Sequence, residues 1–82
     1  SNLVKETFET KRLRAVIPTN ITIDQSGLGK PIGLAEYQGQ TYTVTLGDTI
    51  GGYEITKMNQ KYFLGKNLQS SNVDTLRYKK VN

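Results

Sequence analysis

Apolar and polar residues alternate along much of the chain, with the period of two that is typical of β-strands. The alternation is clearest at residues 41–46, where Tyr42, Val44 and Leu46 share one face and three threonines share the other. Threonine, valine and tyrosine also suit the pleated, half-buried surface of a strand. This pattern predicts a strand here. Ile55 and Leu76 lie on the apolar faces of two later predicted strands. The residues that we expect to be buried are Tyr42, Val44, Leu46, Ile55 and Leu76.

Five further segments are also predicted to be strands, some by alternation and the others by their apolar residues. Turn-forming residues separate several of them, namely Gln38–Gln40, Gly47-Asp48 and Asn59-Gln60. We expect Pro18 to end the first strand, and the stretch Thr19–Pro31, which is rich in turn formers, to be irregular, although Ile21 and Ile23 are compatible with a brief extended piece. The other predicted strands are Arg12–Ile17, Ile32–Gln38, Tyr53–Met58, Lys61–Leu64 and Asp74–Lys79.

Short strands at this spacing, with turns between them, indicate an all-β fold. The sequence predicts a small β-sandwich or partly open barrel of about six short antiparallel strands, with no long helix. Residues 12–82 form the predicted single β domain. Residues 1–11 are expected to be an N-terminal linker, in which Ser1-Asn2 resembles the remnant of a removed affinity tag.

The composition argues against catalysis. The chain has no cysteine and no histidine, which removes disulfides, thiolate and imidazole metal ligands, and the commonest general base. Its seven acidic residues show no spacing that suggests a general acid–base pair. Asp48 follows Gly47 at a predicted strand end, where an aspartate commonly closes a turn by accepting hydrogen bonds from backbone N–H groups. We therefore expect neither an enzyme nor a cofactor or metal site.

The charge of the chain leaves two interpretations. The net charge is +4 and the isoelectric point is about 9.5. Such a balance fits either a solvated surface or a surface that binds nucleic acid, anionic lipid or an acidic face of a protein. Tyr42, Tyr53, Tyr62 and Tyr78 fall on the apolar faces of their strands, which favours core packing over base stacking. Because of the positive charge, a basic SH3-like or OB-like nucleic-acid-binding module remains the alternative.

The first predicted strand is a candidate docking edge. An open sheet presents unpaired backbone N–H and C=O groups, which can accept a strand from a partner. Arg12 and Arg14 lie on the outer face of this strand beside Val16, and arginine next to an exposed aliphatic residue is typical of interfaces. The same charges also fit an edge that is protected against aggregation, so both interpretations stay open.

The segment from Gln40 to Ile55, QTYTVTLGDTIGGYEI, resembles a known family. It is similar to the pattern Y-x-V-x-x-G-D-x-I-x-G-x-x-I/V of the periplasmic homology region of the type II secretion C-protein (GspC) and of the related type IV pilus lipoprotein PilP. The resemblance extends from Arg12 to Tyr78, and the central segment is its specific part. The Thr19–Pro31 stretch is longer than the short hairpin expected there.

This resemblance implies two small antiparallel sheets packed as a β-sandwich, in a periplasmic protein anchored to the inner membrane. It implies docking onto the N-terminal domain of an outer-membrane secretin, together with other inner-membrane components of the secretion or pilus system. The implied contact residues are Arg12, Leu13, Arg14 and Val16. The implied structural residues of the motif are Gly47, Asp48, Ile50 and Gly52.

The resulting hypothesis is a non-catalytic protein–protein interaction module. It links an inner-membrane secretion or pilus assembly platform to an outer-membrane secretin. The lack of cysteine agrees with an oxidising compartment such as the periplasm. The alternatives are the nucleic-acid-binding module and a structural domain of a phage or cell-surface assembly.

Overall fold

The computed structural model of the chain describes residues 16–23 and 29–79. The strands are β1 (Ile17–Ile23), β2 (Pro31–Tyr37), β3 (Gln40–Thr45), β4 (Thr49–Ile50), β5 (Tyr53–Met58), β6 (Tyr62–Asn67) and β7 (Val73–Arg77). They form two antiparallel sheets, which we call sheet A (order β1-β2-β3) and sheet B (order β4-β5-β6-β7). The described residues contain no helix. The predicted all-β class is confirmed, as a small sandwich whose sheets do not close into a barrel.

Within each sheet, strands that are consecutive in sequence pair with each other, and two-residue turns join β2 to β3 and β4 to β5. The β2–β3 hairpin turns through Gln38 and Gly39, whose φ angles are both positive, at 52° and 79°. Two successive positive φ angles are characteristic of a type I′ turn, whose twist matches that of the flanking strands. The β4–β5 hairpin turns in the same way through Gly51 and Gly52.

The two sheets come into close contact at Gly33 of β2. A Cβ atom at this position would lie 2.5 Å from Phe63 Cζ and would collide with the terminal methyl group of Met58. The absence of a side chain at Gly33 therefore lets two large residues of sheet B reach the backbone of sheet A. The buried core consists of Val16, Ala35, Val44, Ile50, Ile55, Met58, Phe63 and Leu76.

β1 departs from the sequence-based expectation. The strand runs through Pro18 and continues to Ile23, so the prediction that Pro18 ends a strand is wrong, and the extended residues Ile21 and Ile23 belong to this strand. Proline is tolerated because β1 is an edge strand and because its register shifts between Pro18 and Asn20, as at a bulge. Residues 12–15 of the predicted first strand lie outside the described residues.

Val16 is part of the core, although the alternation places it on the outer face of the predicted first strand. Its side chain is only 3% exposed. A Cβ atom added at Gly51 would lie 2.7 Å from Val16 Cγ2 and 2.8 Å from the Tyr37 ring. The expectation that Val16 is an exposed contact residue is therefore wrong, because the turn between β4 and β5 packs against it.

Three of the five predicted core residues are buried and two are not. Val44, Ile55 and Leu76 are buried, as predicted. Tyr42 is 41% exposed and Leu46 is 47% exposed, so their predicted burial is wrong. Tyr42 faces inward from the edge strand β3, but β4, which begins the opposite sheet, is only two residues long and does not cover it. Leu46 lies in the turn after the end of β3.

The tyrosines divide between the core and the surface. Tyr37, Tyr53 and Tyr78 are half-buried and pack against the core, and the Tyr78 ring meets the Phe63 ring edge-on at 5.7 Å. Tyr62 does not belong to this cluster, because the neighbouring Phe63 takes the core-facing position and successive strand residues face opposite sides. Core packing therefore explains Tyr53 and Tyr78, but not Tyr42 or Tyr62.

Candidate functional site

The free edge of β3 has a defined set of backbone groups. Because the β2–β3 hairpin has a two-residue turn, Tyr37 and Gln40 form its last pair and exchange hydrogen bonds with each other. In an antiparallel ladder such pairs alternate with pairs that make no hydrogen bonds to each other. Tyr42 and Val44 therefore bond to β2, whereas the N–H and C=O groups of the threonines between them point away from the sheet. Those threonines are Thr41, Thr43 and Thr45.

Asp48 closes one end of this edge. The Thr45 N–H donates to Asp48 Oδ2 at 2.9 Å, and the Asp48 N–H donates to the Thr45 carbonyl at 3.1 Å. Both outward backbone groups of Thr45 are thus engaged within the chain, by the turn-closing aspartate that the sequence predicts. Among residues 16–23 and 29–79, the N–H and C=O groups of Thr41 and Thr43 have no hydrogen-bond partner, and they form the open part of the edge.

The other edge strands carry features that protect them from pairing. β4 is two residues long, and β1 contains Pro18, an irregular register, and a carbonyl that accepts the Lys79 N–H at 3.4 Å. β7 carries the charged residues Asp74 and Arg77. Short length, proline, bulges and charge are the devices by which natural sheets avoid edge pairing. β3 has six residues, no charge and no proline, so it is the edge best suited to accept another strand.

A groove lies beside β3, on the side that faces sheet B. It has a volume of about 440 Å³. The inward-facing side chains of Tyr42 and Val44 form part of one wall, and Ile50 lies on the other. Tyr42 is exposed because it borders this groove, and its hydroxyl donates to Gln40 Oε1 at 3.3 Å. The groove is lined by Tyr37, Tyr42, Thr43, Val44, Asp48, Thr49, Ile50 and Gly51.

A second depression lies along the same strand, bordered by outward-facing residues of sheet A. It has a volume of about 290 Å³ and is lined in part by Ile32, which is 42% exposed, and by Thr43 and Thr45. Lys30 contributes a positive charge at its border. A strand paired with β3 directs its side chains alternately to the two faces of sheet A. One depression lies on each face and can receive them.

Two tyrosines with raised pKa values lie outside the groove. The pKa of Tyr53 is raised by burial and by the Asp74 carboxylate, which accepts a hydrogen bond from its hydroxyl at 2.8 Å. Burial also raises the pKa of Tyr78, whose hydroxyl donates to the Asn59 carbonyl at 2.9 Å. Both phenols stay protonated at neutral pH and tie strands together, which is a structural role.

The motif residues named from the resemblance meet in one connection. Gly47 has a φ of 90°, and its N–H donates to the Ile55 carbonyl at 2.8 Å, which joins the end of β3 to β5. Ile50 is buried and also lines the groove, and Gly52 belongs to the next turn. These residues and Asp48 form the connection from β3 of sheet A to β4 and β5 of sheet B.

The contact residues named from the resemblance do not form a described surface. Arg12, Leu13 and Arg14 lie outside the described residues, and Val16 is buried. Sequence reasoning missed the edge of β3, because the alternation that identified the strand gave no sign that it borders the sheet. The available signal was its lack of charge, since the other long predicted strands all contain at least one charged residue.

The described residues offer no metal site. Across 16–23 and 29–79, no three His, Cys, Asp or Glu side chains are grouped closely enough to hold a metal ion. The same residues include no helix long and apolar enough to cross a membrane. The arrangement of a free backbone edge and flanking depressions suits recognition of an extended chain.

Comparisons of the chain with protein-family models, curated proteins and solved structures give no match.

Proposed function

We propose that this protein is a non-catalytic protein–protein interaction module that binds an extended segment of its partner along β3. The observation that carries this proposal is the uncharged edge of β3, on which the N–H and C=O groups of Thr41 and Thr43 have no partner in the described part of the chain and lie beside a partly apolar groove. Addition of a strand to an exposed sheet edge is a recurring mode of peptide recognition.

Recognition combines two kinds of contact. Thr41 and Thr43 offer the partner's backbone two N–H donors and two C=O acceptors, which fix the register of the bound segment. Side chains on one face of that segment enter the groove between Tyr42 and Ile50, and those on the other face rest near Ile32. Backbone pairing gives affinity that depends little on sequence, and the two depressions select the side chains.

The proposed setting follows from the resemblance to the GspC and PilP homology regions. We place the domain in the periplasm, anchored to the inner membrane, where it links a secretion or pilus assembly platform to the N-terminal domain of a secretin. Val16 packs beside Tyr37 and Gly51, which both line the groove. Arg12, Leu13 and Arg14 remain proposed contacts on the basis of the resemblance alone.

Replacing Thr43 by proline tests the docking edge. Thr43→Pro removes an N–H that β2 does not use and places a ring where a partner strand would lie, so the hairpin is expected to persist. We expect affinity for the N-terminal domain of the cognate secretin, measured by calorimetric titration, to fall by about tenfold or more, because a lost hydrogen bond and a steric clash each weaken pairing.

Thr75→Pro is the matched control. The Asn67 N–H donates to the Asn72 carbonyl, so Thr75 lies at a pair without mutual hydrogen bonds, and its own N–H points away from β6. This variant places the same proline on the outer edge of sheet B, where we expect no change in affinity. Equal binding by the two variants would contradict the β3 assignment. Salt-sensitive binding to oligonucleotides, with no binding to the secretin domain, would favour the nucleic-acid alternative.

A further inference from the structure

A second surface, on sheet B, combines positive charge with a rigid turn. Phe63 and Leu76 form a buried cross-strand pair, so the adjacent pair of Tyr62 and Arg77 faces outward. Lys57 lies on the same outer face, since the Met58 side chain points into the core. Lys61 precedes Tyr62 in the turn between β5 and β6, and Lys79 follows Arg77 by two positions. We call this surface the cationic end; it consists of Lys57, Lys61, Arg77 and Lys79 around Tyr62.

The acidic residues of the described chain lie elsewhere. Glu54 is opposite Lys66, about 13 Å along β6 from Tyr62 at the usual rise per strand residue. The Asp74 carboxylate is bound to the Tyr53 hydroxyl, which lies beside Gly65 on the core-facing side of sheet B. Glu36 belongs to sheet A and Asp48 to the turn after β3. Four of the six lysines and arginines in the described residues thus gather at one end of sheet B without a neighbouring carboxylate.

The turn that carries Lys61 is held in place by Asn59. Asn59 Oδ1 accepts hydrogen bonds from the N–H groups of Lys61 and Tyr62, at 2.8 and 2.9 Å. The Asn59 N–H donates to the Tyr62 carbonyl, and the Asn59 carbonyl accepts the Tyr78 hydroxyl. A turn fixed by four hydrogen bonds loses little conformational freedom when it binds a ligand. The same turn borders a shallow concavity of about 540 Å³.

An anionic partner of this surface is either a nucleic acid or an acidic polypeptide, and the surroundings of Tyr62 favour one of the two. Single-stranded nucleic acid binds by stacking successive bases on exposed aromatic rings. The cationic end has only one such ring, Tyr62, which is half-buried and has the Lys57 ammonium 5.9 Å from its centroid. That ammonium competes with a base for the ring face. Carboxylates need no stacking surface and pair directly with lysine and arginine.

We propose that the cationic end binds an acidic segment of a protein partner, as a contact separate from the β3 groove. The ligand class is a polypeptide with several glutamate or aspartate side chains. Paired with Lys57, Lys61 and Arg77, such a segment lies across the outer face of sheet B. This contact depends on salt, because the charges that make it are exposed.

The test is an NMR titration of the protein with three probes: octaglutamate, octaglutamine and octathymidylate. We expect octaglutamate to shift the amide signals of residues 57–62 and 77–79, octaglutamine to shift none of them, and octathymidylate to bind more weakly. The combined variant Lys57→Gln, Lys61→Gln, Arg77→Gln is expected to weaken octaglutamate binding by about tenfold. Each lost exposed charge pair weakens binding only a little, but the three losses multiply.

The control variant is Lys30→Gln with Lys66→Gln, which removes two exposed charges away from the cationic end and is expected to change affinity by less than about twofold. Equal losses in the two variants, or shifts spread over all lysines, would show general charge attraction and overturn the proposal. Tighter binding of octathymidylate, with Tyr62 among the shifted signals, would overturn it in favour of nucleic acid. Thr43→Pro is expected to leave octaglutamate binding unchanged, which separates this proposal from the one concerning β3.

Discussion

Sheet A has two edge strands, and their backbones differ in what they can bind. β1 contains Pro18, an irregular register and a carbonyl that accepts the Lys79 N–H from the end of the chain. β3 is regular along its pairing with β2, carries no charge, and leaves the backbone groups of Thr41 and Thr43 open. Both edge strands pair with the same central strand, β2.

The difference shows that charge and accessibility are separate properties of an edge. Arg12 and Arg14 led the sequence-based prediction to the first strand, because exposed arginines are common at interfaces. The availability of a backbone depends instead on hairpin register and on neighbouring elements, as Asp48 shows by engaging Thr45 and leaving Thr43 free. An edge without charge can therefore be the better docking site.

The largest expected effect comes from a substitution in β2, the strand that pairs with both edge strands of sheet A. Gly33→Val places a branched side chain in space that the Met58 and Phe63 side chains already occupy. We expect a loss of about 3 kcal/mol of unfolding free energy, at the upper end for an overpacked core. Urea denaturation measures it, and Thr41→Val, on the exposed outer face of sheet A, is the control. A Gly33→Val protein as stable as the parent would show that the sheets do not pack at Gly33.

A second pair of variants compares two positions of the same alternating pattern. Val44→Ala is expected to cost about 2 kcal/mol, because the side chain is buried and its truncation leaves a cavity. Leu46→Ala removes a similar apolar side chain that is 47% exposed, and it is expected to cost less than about 1 kcal/mol. The midpoints of urea unfolding give both values. Equal losses would mean that Leu46 is buried as the sequence predicts.

Asp48 determines where the open edge of β3 stops. Asp48→Ala removes the acceptor of the Thr45 N–H and is expected to cost about 1 kcal/mol, a typical net value for a lost hydrogen bond. Amide hydrogen exchange gives a sharper readout: in the parent the Thr41 and Thr43 amides exchange fast and the Thr45 amide slowly, and in the variant all three exchange fast. Asp48→Asn keeps an acceptor oxygen and is the control. Slow exchange at Thr43 in the parent would contradict the open edge.

The smallest expected effect concerns the arginines before β1. Arg12→Glu with Arg14→Glu is expected to weaken secretin binding by about threefold, because exposed charges at the rim of an interface contribute little. Calorimetric titration against the secretin domain measures the change, with the melting temperature as the control for folding. A larger loss than that of Thr43→Pro would return the docking edge to the first strand.

The sequence predicts individual strands well, because alternation reports which face of a strand is apolar. β2, β3, β5, β6 and β7 all overlap predicted strands. The continuation of β1 beyond Pro18 was not predicted, because proline usually ends a strand, and the exception requires an edge position and a bulge, which depend on the tertiary fold.

The candidate site was harder to predict than the strands. Alternation places Tyr42 on the inner face of β3, and this is where it lies. Its exposure follows from the shortness of β4, a property of a different sheet. Which strand lies at an edge, and what covers its inner face, are decided by contacts between segments distant in the sequence.

The order of the strands has a consequence for folding kinetics. Within each sheet every pairing joins strands that are consecutive in the chain, so most native contacts span short stretches of sequence. Domains with such low contact order fold faster than β-sandwiches whose sheets mix distant strands. The contact between β1 and the residues after β7, made by Lys79 and Pro18, closes the longest loop. We therefore expect hairpins to form first and this contact to form last, which places the start of β1 outside the folding nucleus.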